Sequence, residues 1–168
     1  MDEQHFTEPD AATDAFKQAF RRHAAGVAAV TALAEGERPV GFTATSVASL
    51  AAAPPLVTFN MARVSSAWPA MVVGNHVAIH TLGPRTQHLA VRLAADNAVR
   101  FEGDHWAPGP HGVPILAGVT SWMLGEIIEV HPVYENAVIV VRIEVGELGD
   151  EDEALLYHER AYQRPVAI

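Results

Sequence analysis

Most strand-like runs in this chain follow one another through connections too short to hold a crossover helix. An apolar run over 27–33 meets a turn at Ala34-Glu35-Gly36-Glu37. A second run starts near Pro39 and reaches Gly41-Phe42-Thr43-Ala44-Thr45-Ser46, and the two read as a β-hairpin. Residues 56–60 and 77–82 are further short strands. In 138–145, Val141, Ile143 and Val145 alternate with Arg142 and Glu144. In 122–130, Trp122, Leu124, Ile128 and Val130 are expected on one face, with Glu126 breaking it. Leu155-Leu156-Tyr157 and Tyr162 close the chain in one or two short strands. A parallel doubly wound sheet needs long crossovers. The spacing therefore predicts a mainly β fold: an antiparallel β-barrel of about six to eight short strands with peripheral helices.

Three helical segments stand out. Thr13 or Asp14 caps a helix to about His23, with Phe16, Ala19, Phe20 and His23 on one face. A short helix over 68–73 has Ser65 or Ser66 as its N-cap, and Pro69 fits its first turn. A third runs from Thr86 to about Ala94. Residues 1–12 read as a loose polar arm and 13–168 as one domain. The Gly- and Pro-rich stretch 103–118 reads as a long loop or a pair of turns.

Composition narrows the function classes. With 49% hydrophobic and 18% charged residues, a 168-residue chain can bury a sizeable core. Eleven basic against twenty acidic residues leave a net charge of −9, which argues against nucleic acid as the main partner. There is no cysteine, so disulfides, thiolate catalysis, iron–sulfur clusters and Cys-type zinc sites are excluded. Any redox chemistry needs a bound cofactor. The start Met1-Asp2-Glu3-Gln4-His5 lacks signal-peptide features, and no long apolar run suggests a membrane span. A cytoplasmic protein is expected.

Two segments carry candidate chemistry. In 41–57, Thr43, Thr45, Ser46 and Ser49 precede Pro54-Pro55, and small side chains let a flat ring or an anion come close. In Arg63-Val64-Ser65-Ser66-Ala67-Trp68-Pro69, two serines at a helix start suit a phosphate. Taken alone, the first reads as a solvated strand-end turn and the second as an ordinary N-cap. One strand apart, they suit the ring and tail of one phosphorylated cofactor. The nine histidines show no tight ligand spacing, so no metal is expected. His76 and His80 would lie ~13 Å apart along a strand, and His105 and His111 read as surface-loop residues. Two readings of His158 stand open, a buried structural group or an edge-of-site contact. Nucleophile-elbow, dinucleotide and P-loop motifs do not occur.

The order of motifs is RPVGFTATSVASLAAAPPLV at 38–57, RVSSAWPAM at 63–71, VAIHTL at 77–82, Arg100-Phe101, WAPG at 106–109, GVPIL at 112–116 and LLYHERAY at 155–162. This succession resembles the flavin reductase-like family with the FMN-binding split barrel, over roughly residues 13–164. The resemblance implies a split β-barrel and a homodimer with the cofactor near the subunit interface. Thr43, Ala44, Thr45 and Ser46 would face the flavin ring and ribityl chain, and Asn60 and Met61 would line the same groove. Ser65 and Ser66, with the amides through Ala67 and Trp68, would hold the phosphate. Arg92, Leu93 and Ala94 match a stretch that approaches the flavin from another side. Asn136, His158 and Tyr162 would lie near the nicotinamide.

The implied activity is hydride transfer from NADH or NADPH to FMN or FAD, supplying reduced flavin to a partner monooxygenase. No side chain is assigned an acid or base role. Three departures from the family pattern matter. Ala67 stands where a hydroxyl is usual, and His80 where Asn is common. Tyr134-Glu135-Asn136 stands at the Gly-Asp-His signature associated with nicotinamide, and Val141 where a Gly commonly follows it. They motivate an alternative, a flavin-binding split-barrel protein without nicotinamide activity. A β-barrel module for haem or a deazaflavin is a third. The acidic balance requires local positive charge for an anionic ligand, from Arg63, Arg92 or Arg100.

Overall fold

The computed structural model describes residues 8–168, with side-chain environments from residue 11 onward. In chain order the elements are helix α1 (Glu8–Arg22), strands β1 (Ala25–Gly26), β2 (Ala28–Ala34), β3 (Arg38–Ala44), β4 (Ala48–Ala52), β5 (Pro55–Ala62) and β6 (His76–Thr81). Helix α2 (Gln87–Ala94) follows, then β7 (Trp106–Pro108), β8 (Pro114–Leu116), β9 (Ser121–Val133), β10 (Asn136–Leu148), β11 (Leu156–His158) and β12 (Ala161–Gln163). Seven strands form one sheet in the order β3-β2-β6-β9-β10-β5-β4, and every ladder in it is antiparallel. The mainly β, antiparallel reading therefore holds.

The two edges of this sheet, β3 and β4, are consecutive in the chain and joined only by residues 45–47. So short a link forces the sheet to curl until its edges approach. Phe42 on β3 and Phe59 on β5, five strands away in the sheet, meet with ring centroids 5.9 Å apart. Inside the curl lies one core cluster drawn from both halves: Val30, Val40, Phe59, Ile79, Ile127, Ile139 and Val141 among others. Burying each such side chain stabilises the fold by roughly 1.5–3 kcal/mol.

The apolar runs of β2 and β6 lack alternation because both faces are covered. Outside β2, Val27 and Ala29 pack under Leu89, Ala90 and Leu93 of α2. The hydroxyl of Thr31, fully buried, donates to the Pro114 carbonyl at 2.6 Å and fastens the β7–β8 hairpin over the same face.

Four local expectations change. Helix α1 starts at Glu8, so 8–12 of the expected arm are helical, and residues 1–7 lie outside the described residues. Residues 48–52, part of the segment that taken alone read as a solvated strand-end turn, form edge strand β4. The expected loop 103–118 contains the β7–β8 hairpin. Only one 3-10 turn, Trp68–Ala70, forms where a short helix was expected, because Met71 leaves helical geometry to enter the core.

The expected face of β9 is also redistributed. Glu129 lies opposite Val140 and Ile127 opposite Val141, so Ile128 is an extra residue at a bulge. Ile127 is thereby buried in the inner core, while Leu124 and Trp122 pack on the outside. A second bulge leaves Glu144 without a partner opposite Gly125 and Leu124. Between the two bulges the strands approach closely: a Cβ on Gly125 would stand 2.1 Å from the Arg142 carbonyl oxygen. Gly125→Ala is therefore expected to lower stability by about 2 kcal/mol or more. A thermal melt reads this directly, and an unchanged midpoint contradicts it.

Candidate functional site

The link between the sheet edges is pinned by one hydroxyl. Ser46 Oγ donates to the Asn60 carbonyl at 3.1 Å and accepts the Asn60 N–H at 2.9 Å, so the link is clasped to β5. Beside this clasp an open groove is lined by Thr45, Ser46, Val47, Ala48 and Asn60 on one side. Phe20 and His23 of α1 and its C-terminal neighbourhood, Ala25 and Tyr157 line the other. Phe20, His23 and Tyr157 were not expected at the site. The apolar face of α1 was the sequence signal for Phe20 and His23, and it carries no address; Tyr157 stood inside the LLYHERAY motif without being singled out.

Thr43 is engaged elsewhere: its hydroxyl donates to the Ala90 carbonyl at 2.5 Å and ties β3 to α2. Ala44, Met61, Ala67 and Leu93 are buried, so their side chains serve the core and only backbone atoms there can meet a ligand.

The serine segment behaves as a built turn. Ser65 Oγ accepts the Ala67 N–H at 3.3 Å, and the Trp68 N–H donates to the Ser65 carbonyl at 3.0 Å. Ser66 is exposed, and its hydroxyl accepts from Arg100 Nη1 at 3.3 Å. The same guanidinium donates to the Gly41 carbonyl at 2.8 Å and, through Nε, to Ala95 at 2.9 Å. Partial burial pulls the Arg100 pKa below its ordinary value, and Asp96 opposes that shift; the group stays a cation. The Arg63 guanidinium lies over the Trp68 ring, 5.6 Å from its centroid. Two cations thus flank the two serines, which answers how an acidic chain offers a positive locus.

Arg92 reaches instead to the Glu102 carbonyl, and its Nε is buried without a partner among the described residues. The nearby His105 ring takes a pKa below the ordinary value. Its burial is the main cause, and Arg92 adds to it. Ala94 is exposed at the end of α2.

The expected nicotinamide residues are not gathered into one place within this chain. His158 lines a cleft with Phe16, Phe20 and His23 of the helical arm. Tyr162 packs on the α2 cluster and lines a groove with Pro84, Gln87 and Leu155; burial and then Tyr157 raise its pKa. Asn136 opens β10 opposite Ala62, next to the turn where Arg63 donates to the Tyr134 carbonyl at 3.0 Å.

A hydroxyl pair, two guanidiniums and an open groove with small side chains on one wall and Phe20, His23 and Tyr157 on the other fit a phosphorylated ring compound. The sequence profile of the flavin reductase like domain matches residues 20–165. The chain belongs to the flavin reductase-like family. Within this family it is 40% identical over 158 residues to the NADH:FMN oxidoreductases of Rhodococcus qingshengii and Rhodococcus erythropolis, covering 91% of this chain and 82% of each relative. It is 30% identical over 129 residues to the stachydrine N-demethylase reductase subunit Stc3 of Rhizobium meliloti, covering 77% of this chain and 56% of that one. Among solved structures, the flavin reductase domain protein of Arthrobacter sp. FB24 superposes with a TM-score of 0.89 at 51% identity, covering 93% of this chain and 97% of that one.

Proposed function

We propose that the protein is an NAD(P)H-dependent flavin reductase that passes a hydride from NADH or NADPH to FMN or FAD and supplies reduced flavin to a partner monooxygenase. The observation that carries the reading is the Ser65–Ser66 turn flanked by Arg63 and Arg100, next to the groove of Thr45, Ser46 and Asn60. Names of relatives support the rest: NADH:FMN oxidoreductase for the electron donor and acceptor, and a demethylase reductase subunit for the partner. The curled sheet with its edges joined at 45–47 supports the split barrel.

In this scheme the chemistry the flavin supplies when bound is acceptance of a hydride from reduced nicotinamide. Ser65, Ser66 and Arg100 hold the phosphate end. Thr45, Ser46 and Asn60, with backbone around Ala44 and Met61, orient the ring, the amides of Ala67 and Trp68 join the serines at the phosphate, and Arg92, Leu93 and Ala94 approach from the α2 side. Thr43 keeps α2 in place through its bond to Ala90. His158 and Tyr162, with Asn136, are the proposed nicotinamide contacts, and Phe20, His23 and Tyr157 line both the groove and the His158 cleft. The chain's work is orientation and exclusion of one ring face, and no side chain is asked to act as acid or base.

The proposed state is a cytoplasmic homodimer. No helix among the described residues is long and apolar enough to cross a membrane. Phe16 and Phe20 are each 61% exposed on a helix too short to be stable alone in water, which supports a second copy covering them. Phe20→Asp is expected to shift sedimentation velocity from twice the chain mass toward one; a monomeric parent protein refutes the dimer.

The reductase reading is tested by following nicotinamide absorbance in the purified protein with and without added FMN or FAD. Turnover that depends on flavin is expected. No oxidation of either NADH or NADPH at saturating flavin overturns it.

A further inference from the structure

Away from the groove, the outer face of the sheet gathers three metal-type ligands that the sequence keeps far apart. His76 starts β6, Glu144 is the extra residue of the second bulge in β10, and His111 sits in the turn between β7 and β8. His76 Nε2 lies 3.2 Å and His111 Nε2 4.0 Å from Glu144 Oε2, and one ligand atom from each residue falls within 4.8 Å of the others. A tetrahedral ion with metal–ligand bonds of about 2.0–2.1 Å holds its ligands roughly 3.3 Å apart.

Two backbone irregularities aim these groups. His111 has a φ of 57°, left-handed geometry that a non-glycine residue adopts at a cost. The bulge turns Glu144 toward the two rings. The neighbouring carboxylate, Glu126, which pairs with His76 across the ladder, is engaged by Arg142 at 2.6 Å. Glu144 is therefore the carboxylate left to the two imidazoles.

We propose that His76, His111 and Glu144 bind a divalent transition-metal cation of the zinc class, which staples the β7–β8 hairpin to the outer face of the sheet. Two imidazoles and one carboxylate select borderline cations over the oxygen-seeking Mg²⁺ and Ca²⁺. Water completes the coordination. The rings are stacked 3.7 Å apart and only 13° from parallel, so His111 must swing to aim its lone pair at the ion. Its side chain is 53% exposed and free to do so. The site shares none of the groove residues, so it stands or falls independently of the reductase reading.

The test uses the full, tag-free chain after chelator treatment. Zn²⁺ is titrated by calorimetry, and Co²⁺ is added as a spectroscopic probe of geometry. One Zn²⁺ per chain is expected, with intense visible bands for Co²⁺ and a melting temperature that rises with Zn²⁺. His111→Ala and Glu144→Gln, both at exposed positions, are each expected to weaken Zn²⁺ at least about tenfold. His131→Ala, which removes a surface His–Glu pair with no third ligand among the described residues, leaves binding unchanged. Absence of a binding heat, or a loss below tenfold in both ligand variants, overturns the proposal.

Discussion

Lowering the pH from 7 to 4 is expected to cost about 3 kcal/mol of folding stability through a single side chain, His80. Its ring is fully buried on β6, between β2 and the β7–β8 hairpin. Nδ1 lies 3.2 Å from the Ala29 carbonyl, and Nε2 accepts the Leu116 N–H at 3.1 Å, which fixes the neutral tautomer with its proton on Nδ1. Burial lowers its pKa from 6.5 to about 4, only partly opposed by the bond to Ala29. Between those values the unfolded chain takes up a proton that the folded chain refuses. Stability is therefore full above pH 6.5 and declines as pH falls toward 4. His105 shifts in the same direction, whereas the lowered Asp152 carboxyl acts only below its ordinary value of 3.8. His80→Asn isolates the effect. It cannot span both partners, so it should lose about 1–3 kcal/mol at pH 7, yet show a flatter profile. Urea unfolding across this pH range checks it. A parent profile as flat as the variant's rules the mechanism out.

Replacing Arg100 by Ala is expected to raise the flavin dissociation constant by about tenfold to a hundredfold, the range of a lost charged hydrogen bond of about 1.5–3 kcal/mol. Arg100 is the cation in contact with Ser66, and it also bridges β3 and the segment after α2. Arg100→Lys keeps the charge without the fork and should recover part of the affinity. A melt separates ligand loss from loosening of the Gly41 and Ala95 contacts. Arg92→Ala is expected to weaken flavin less, because Arg92 is held by Glu102. Fluorescence titration reads all three. An unchanged constant in either alanine variant removes that arginine from the site.

What could be read from residues follows from range. Hairpin β2–β3, β6 and the β11–β12 pair are local apolar runs with turns beside them, and they form where expected. The face of β9 was not legible, because a bulge is set by the partner strand and reverses the alternation at Ile128. Strand β4 is built of Ala, Ser and Leu, and its pairing with β5 overrides a weak local preference. At the site, the two hydroxyl segments were visible as neighbours in sequence. Arg100 was recognised as a charge but not as the partner of Ser66, from which 34 positions separate it. His76, His111 and Glu144 were invisible as a set for the same reason: ligand spacing rules see helices and turns, not an outer sheet face.

The seam between β3 and β4 has a kinetic meaning. A curled sheet is hard to enter wherever neighbouring strands are zipped together, since passage would break ladder bonds. The candidate groove lies instead at the link 45–47, where the two edges meet through a turn and the Ser46–Asn60 clasp. A ligand can thus be admitted or shed there without unzipping a single strand pair. That suits the proposed supply of reduced flavin to a partner: dissociation can be fast while the scaffold around it stays rigid.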